Sequence, residues 1–421
     1  VNVTVIALGT RGDVQPYVAL GAALLRAGHS VRVATHDTFR DLVHAAGPDF
    51  WPMRGDVQDV VNSPEMRSAL ARGNMLEINR VSARATHHAA LHWAQDALDA
   101  AQDAELLLAG IGGMNVAQAV SEKRRLPLIE AHVVPFHPTR AFPGAIFPPG
   151  VARLGGGANR LSHVLTRQVM WQMFRAADTR ARRAVLELPP APLWGPRPVH
   201  TTPTLHGISP AVLPRPADWD AAQHLTGYWF LGEQQWSPPP ALEAFMHAGP
   251  PPVSIGFGSM TTRDAAATTR TVLDALERSG QRAVLLSGWG GLSAADAPPH
   301  VFVTDSVPHH WLFPRVAAAV HHGGAGTTAA GLAAGVPTVV VPFFGDQPFW
   351  AERVRRLGVG PSPVPARHLT AGALGDALTQ VRVDTGIRER AAALGHRIRA
   401  EDGLGAAVRV VESYGRGRGR R

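Results

Sequence analysis

The chain of 421 residues contains no cysteine. Disulfides, thiolate nucleophiles and Cys-ligated zinc or iron–sulfur sites are thereby excluded, and a reducing, cytoplasmic setting is permitted. Charged residues make up only 18% against 45% apolar residues, the balance of a soluble globular protein long enough for two or three domains. Residues 316–345 have no Asp, Glu, Lys or Arg. That run is as long as a membrane span, but histidines, glycines and proline interrupt it, so it predicts buried α/β core. Residues 1–6 lack the basic region and long apolar core of a signal peptide and predict a first strand. The formal charge is +8, yet four of those charges are arginines within residues 415–421, and no aromatic residue is interleaved with a basic cluster elsewhere. Nucleic acid is therefore disfavoured as a partner. The tail reads either as a solvated, disordered end or as a tether to an anionic membrane surface. No short repeat, Gly-x-Ser-x-Gly elbow or Walker sequence occurs, so a solenoid, a hydrolase and a P-loop NTPase have no support. The His-His pairs at 87–88, 309–310 and 321–322 lack two-ligand spacing, and no metal site is expected.

What is present is a strand-to-helix alternation that occurs twice. Residues 3–8 predict a strand, 9–15 a glycine-flanked loop, and Pro16 the first position of a helix that Gly28 ends before a strand at 30–34. Further strands are expected at 106–109 and 127–129, with a helix at 115–122 between them. A proline-rich stretch with Trp219, Trp229 and Trp236 and little periodicity follows, and predicts an inter-domain linker at 206–240. The pattern then restarts with a strand at 253–257, a helix ending at Gly280, and strands at 282–286, 301–303, 317–321 and 338–341. The expected architecture is two doubly wound parallel-sheet domains in tandem, residues 1–205 and 241–412, with a basic tail at 413–421.

In such sheets ligands bind beyond the carboxyl ends of strands, which singles out the loops 9–15, 258–262, 287–292 and 322–328. His321-His322-Gly323-Gly324-Ala325-Gly326-Thr327-Thr328 reads as a strand end opening through glycines into a helix at 327–334. Glycines let backbone approach an anion, and the helix start offers N–H groups and a positive dipole end. His322 adds a donor or a charge. The other reading is a tight turn without a ligand. Asp13, held at a strand end, suits a general base or an interaction with the following helix terminus. Arg11 can meet a phosphate or face solvent. Asp346-Gln347 can grip vicinal sugar hydroxyls or cap a helix. Trp289, between glycines, stacks on a planar base or fills a gap, and Ser259 contacts phosphate or caps a helix.

As a set, these residues resemble the inverting family 1 glycosyltransferases, in the branch of the sterol glucosyltransferases and the vancomycin-group antibiotic glycosyltransferases. The resemblance spans nearly the whole chain. It rests on Gly9-Thr10-Arg11-Gly12-Asp13-Val14-Gln15-Pro16, Gly256-Phe257-Gly258-Ser259-Met260, Ser287-Gly288-Trp289-Gly290-Gly291-Leu292, and the run from His321 to Thr328 followed by Pro342 to Gln347. It implies a GT-B fold, two Rossmann-like domains facing across a cleft, the acceptor on the first and the nucleotide sugar mainly on the second, with the last helix packing back on the first. It assigns His322, Gly324, Gly326 and Thr327 to the donor diphosphate with help from Arg11 and Ser259, Asp346 and Gln347 to the sugar, and Val307 backbone with Trp289 to the nucleobase. No metal or other cofactor is implied, only a UDP- or TDP-sugar donor. Asp13 stands where many plant relatives carry a histidine base. A carboxylate with an ordinary pKa near about 3.9 is a weaker base unless burial raises it, which keeps His36, His132 and His137 as reserve candidates.

A lipophilic acceptor pocket, for a sterol or a polyketide aglycone, is expected from His132, Phe136, Phe142, Ile146 and Phe147 and from an apolar helix at 160–175 bearing Val164, Met170, Trp171 and Phe174. These residues packing only against one another is the alternative. Two other functions fit the same fold: a catalytically silent nucleotide-sugar-binding protein, against which the intact Asp13, His322 and Asp346-Gln347 argue, and a nucleotide-sugar epimerase.

Overall fold

The computed structural model describes residues 1–72, 74–195, 199–232, 236–257, 265–286 and 297–418. It divides into two compact units, Val1–Ala69 with Asn74–Gly232 and Glu401–Arg421, and Leu70–Gly73 with Glu233–Ala400.

The first unit is built on seven parallel strands, β1 (Asn2–Ile6), β2 (Ser30–Thr35), β3 (Asp49–Pro52), β4 (Leu106–Ala109), β5 (Leu128–His132), β6 (Thr204–His206) and β7 (Gln223–Leu225), in the order β3-β2-β1-β4-β5-β6-β7. The register pairs Val3 with Val31 on one side and with Leu106 on the other. Successive side chains of β1 point to opposite faces. Val3 and Val5 pack with Val14, Tyr17, Val18 and Leu24 of helix Arg11–Arg26 and with Ala407, Val408 and Val411 of helix Gly403–Arg418. Ile6 packs on the opposite face with Ala94 and Ala97 of helix Met75–Ala100 and Ala177 and Ala181 of helix Gly156–Ala184. Helices on both faces explain why β4 reads Leu-Leu-Leu-Ala with every residue buried.

The second unit has five parallel strands, β8 (Val253–Gly256), β9 (Ala283–Leu286), β10 (Val301–Thr304), β11 (Ala318–His321) and β12 (Thr338–Val340), ordered β10-β9-β8-β11-β12. One face buries Val253 and Ile255 with Leu276, Leu374 and Leu378, and the other buries Val284 and Ala319 with Leu242, Leu312 and Phe313.

Several boundaries differ from the sequence expectation. The first helix begins at Arg11, leaving Pro16 inside it. Proline there forfeits one intrahelical bond, which the packed helix tolerates. The second glycine-opened helix starts at Ala325, two residues earlier than expected. The stretch 206–240 is not a simple linker. It carries the end of β6 and all of β7, and residues to Gly232 belong to the first unit, with Trp229 only 4% exposed. Strands of three residues among prolines show no period-two signal, which is why the sequence conceals them. The tail expected to be disordered from 413 is helical to Arg418. Among the described residues, no helix is long and apolar enough to cross a membrane.

In each unit the strand order reverses beside the first strand, between β1 and β4 and between β8 and β11. A crevice opens beyond the carboxyl ends of the strands at such a point.

Candidate functional site

At the first reversal, β1 leads through Gly9 and Thr10 into helix Arg11–Arg26. Asp13 sits in the first turn, and its Oδ2 accepts from both the N–H and the hydroxyl of Thr10, each at 2.9 Å. The helix-terminus interaction expected as one reading of Asp13 is therefore present, and it occupies one oxygen only. Oδ1 has no hydrogen bond among the described residues. Gly9, at φ +137°, admits this arrangement, since a β-carbon there would lie 2.6 Å from Asp13 Oδ2. Burial raises the Asp13 pKa, and the two bonds from Thr10 oppose that rise. One turn on, the buried Tyr17 donates to the Ala131 carbonyl at 2.9 Å, tying the helix to the end of β5. Arg11 is exposed and its Nε donates to Gln15 at 2.9 Å.

Facing Gly9 across the reversal is a turn the sequence reading passes over, Gly110-Ile111-Gly112-Gly113 after β4. A β-carbon on Gly112 would fall inside the Leu8 carbonyl oxygen and one on Gly113 would lie 2.6 Å from that of Ile6. The glycines let the two strand ends close on each other. Their clustering directly after an apolar run was the available signal.

At the second reversal, β11 ends at His321, whose Nδ1 accepts from the Gly323 N–H at 2.9 Å. Helix Ala325–Ala334 follows with Gly324 as its N-cap, no capping side chain and no acidic residue in its first turn. Its first N–H groups have no acceptor within the helix, and Gly326 is exposed with open space around its α-carbon. The His322 ring folds over this start. A β-carbon on Gly324 would lie 2.5 Å from His322 Nε2. Burial lowers the His322 pKa to about 4, so at neutral pH the ring is uncharged and can enter a hydrogen bond.

The turn after β12 adjoins this one, since a β-carbon on Gly323 would lie 3.2 Å from the Gln347 carbonyl oxygen. Asp346 is the N-cap residue of helix Gln347–Leu357 and accepts from Trp350 Nε1 at 2.8 Å. Gln347 Oε1 accepts from the N–H groups of Phe343 and Phe344 at 2.7 and 3.2 Å, which fixes the amide. The second unit thus brings His322, Gly324, Gly326, Thr327, Asp346 and Gln347 to neighbouring turns. Val307, after β10, is buried with Leu312 and Phe313. Ser259 and Trp289 lie outside the described residues.

The reserve histidines differ in setting. His36 is fully buried, with Nδ1 3.4 Å from the Met53 carbonyl oxygen and its pKa lowered by burial. His137 is half-buried and is lowered by burial and then by Arg167. His132 Nε2 lies 3.2 Å from Glu130, and its ring is 6.1 Å from Phe136 and 5.7 Å from His206. His206 stacks on Trp219 at 4.3 Å, and His137 meets the same indole edge-on at 6.0 Å. His206 and Trp219 join this cluster without a local sequence signal, because both lie in the expected linker. Of the remaining acceptor candidates, Phe142 packs on His163 at 5.7 Å and Trp171 donates to the Pro192 carbonyl at 2.8 Å. Phe147, Met170 and Phe174 are half-buried, while Val164 faces outward.

Two doubly wound units, one presenting a carboxylate and the other a glycine-capped helix start at the strand reversal, define an α/β protein of the class that carries its ligand site at such reversals. Comparison with known proteins makes this specific. The Glycosyltransferase family 28 N-terminal domain model matches residues 3–143, and the Erythromycin biosynthesis protein CIII-like, C-terminal domain model matches residues 272–403. A sterol 3-beta-glucosyltransferase of Cryptococcus neoformans var. neoformans serotype D is 36% identical over 442 residues, covering 97% of this chain and 27% of the relative. One from Candida albicans is 35% identical over 430 residues, covering 98% of this chain and 28% of the relative. The chain therefore spans under a third of the length of these relatives. Among solved structures, the glycotransferase of kitacinnamycin superposes with a TM-score of 0.66 at 20% identity over 98% of both chains. The calicheamicin glycosyltransferase CalG4 does so at 0.65 and 19%, again over 98% of both. The chain belongs to the GT-B glycosyltransferases, with a family 28 type N-terminal domain and an erythromycin CIII-like C-terminal domain.

Proposed function

We propose that the chain transfers a hexose from a nucleoside diphosphate sugar, UDP-glucose or a TDP-sugar, to a hydroxyl of a lipophilic acceptor, in one inverting displacement that needs no metal. The observation that carries this reading is the glycine-capped start of helix Ala325–Ala334 beneath a neutral His322. As the bond from the anomeric carbon to the diphosphate breaks, negative charge grows on the leaving oxygen. Unpaired N–H groups at Gly326 and Thr327, the helix dipole and a hydrogen bond from His322 stabilise it there, with Arg11 and Ser259 assisting. Asp346 and Gln347 hold the sugar hydroxyls, and Val307 with Trp289 holds the base. The acceptor oxygen attacks the opposite face while Asp13 takes its proton at Oδ1. Burial raises the Asp13 pKa against the pull of the Thr10 bonds, which supports a carboxylate in the role of base.

Relatives guide the substrates. Sterol 3-beta-glucosyltransferases share 35–36% identity along nearly the whole chain, which favours a sterol-like acceptor bound by His132, Phe136, Phe142, Phe147, Met170, Trp171 and Phe174. The spinosyn rhamnosyltransferase SpnG, with structures in complex with thymidine diphosphate and with spinosyn aglycone, keeps the polyketide class in view at 19% identity.

A donor-by-acceptor matrix read by mass spectrometry tests the reaction. Glycosylated sterol or aglycone is expected; a rearranged free nucleotide sugar would indicate an epimerase, and binding without turnover a silent protein. Asp13→Ala should abolish transfer, by roughly 10³-fold or more, with nucleotide affinity within a few-fold by calorimetry. Full activity would remove Asp13 from the mechanism.

A further inference from the structure

Helix Gly156–Ala184 reverses the usual distribution of polarity. Asn159, Ser162, His163 and Thr166 are at most 4% exposed, whereas Leu161, Val164, Leu165 and Val169 are 44–55% exposed. A helix laid on a soluble core turns the other way. The buried polar groups explain the roll. Asn159 Nδ2 donates to the Arg140 carbonyl at 2.9 Å, Ser162 Oγ accepts from the Gly144 N–H at 2.8 Å, and His163 Nε2 lies 3.1 Å from the Phe142 carbonyl. These bonds latch residues 140–144 across the inner face and leave the apolar side chains outside.

The outward stripe is extended by its neighbours. Gln168 and Gln172, on the same face, both donate to the Leu193 carbonyl, at 3.1 and 2.6 Å. That places Leu193, 52% exposed, and Trp194, 80% exposed, beside Leu165 and Val169. Leu154, just before the helix, is 76% exposed. Contiguous apolar surface of this kind marks an interaction site.

Charge identifies the occupant. Residues 131–177 contain five arginines and no Asp or Glu, and Arg153, Arg160 and Arg167 are exposed around the stripe. Glu130, held by His132, and Asp218, held by the Thr139 hydroxyl and the Arg140 N–H, act on Arg167 and Arg160 and offset part of this charge, leaving the arginines in excess. An isologous contact with a second copy would set arginine against arginine. An apolar face with a tryptophan and a cationic rim matches the interfacial plane of an anionic membrane. We propose that this face of the first unit docks on an anionic lipid bilayer, with the helix lying in the headgroup plane. The inference stands apart from the proposed transfer reaction.

Flotation of the full chain with phosphatidylcholine vesicles, with and without phosphatidylglycerol, tests it in the absence of any sugar donor. Binding is expected only with phosphatidylglycerol, weakening as salt rises. Leu165→Gln with Val169→Gln, and separately Arg160→Gln with Arg167→Gln, should each weaken it roughly tenfold or more. Because these side chains are exposed, thermal melting should hold and exclude misfolding. Unchanged flotation of both variants would overturn the proposal. So would loss of flotation on replacing only the four tail arginines, or a dimer in sedimentation that Leu165→Gln with Val169→Gln dissociates.

Discussion

A carboxylate accepts a proton readily only where its surroundings disfavour its charge, and at Asp13 two influences oppose each other. Burial pushes the pKa up, while the Thr10 N–H and hydroxyl pull it down. Thr10→Val removes the hydroxyl bond and keeps the backbone one. The Asp13 pKa should then rise further, and since the base works ionised, the acid limb of kcat/KM should move to higher pH. A limb that stays in place in Thr10→Val would show that another group titrates. At the donor turn, Gly324→Ala puts a methyl group 2.5 Å from His322 Nε2, displacing the imidazole from the helix start. Donor affinity should fall about tenfold or more, the worth of one charge-assisted hydrogen bond, with the melting temperature within a few degrees of the parent. Asp13 and His322 were legible in the sequence because glycines mark the loops that hold them. Their protonation states were not, because burial is set by residues far away in the chain.

Elements carry the next set of constraints. Helix Gly156–Ala184 is anchored by Arg182, only 2% exposed, whose guanidinium donates to both Glu122 oxygens at 2.8 Å and to the Pro189 carbonyl at 2.7 Å. Nearby Asp178 is raised to about 6 by burial, which Arg182 partly counters. Arg182→Ala leaves these acceptors without their donor and should cost about 2–4 kcal/mol, measured by urea denaturation. A loss under half of that would mean the helix is held by its apolar contacts alone. This anchor is not visible as periodicity; the apolar stripe is, with Leu161, Val164, Leu165 and Val169 at helical spacing, but its outward direction is not. The expected apolar helix at 160–175 does exist, but the sequence alone could not tell that Val164 faces out and Thr166 in, because the bonds deciding its roll come from residues 140–144.

Over the whole molecule, burial holds several histidines neutral and so makes the fold sensitive to acid. Burial lowers His163 to about 4, His206 to about 3, His322 to about 4 and His321 well below its ordinary value. Each is depressed on folding, so its contribution is complete above the unfolded pKa near about 6.5 and is lost as pH falls toward 4. Asp178, raised to about 6, works in the opposite sense and offsets part of one proton. Unfolding free energy should decline from pH 7 to 5, by up to about 1.4 kcal/mol per pH unit for each unbalanced proton, and a flat profile over that range would contradict the assignment. The sequence by itself determined the two parallel α/β units and the glycine turns that open into helices after the strands at 2–6 and 318–321, since strand runs, glycine turns and helix stops act over a few residues. Only the tertiary structure decided that the short β6 and β7 complete the first sheet, that His206 and Trp219 stand beside His132, and which face of helix Gly156–Ala184 meets solvent. Those outcomes depend on pairing and burial between segments distant in the chain, where no local pattern can choose among the arrangements.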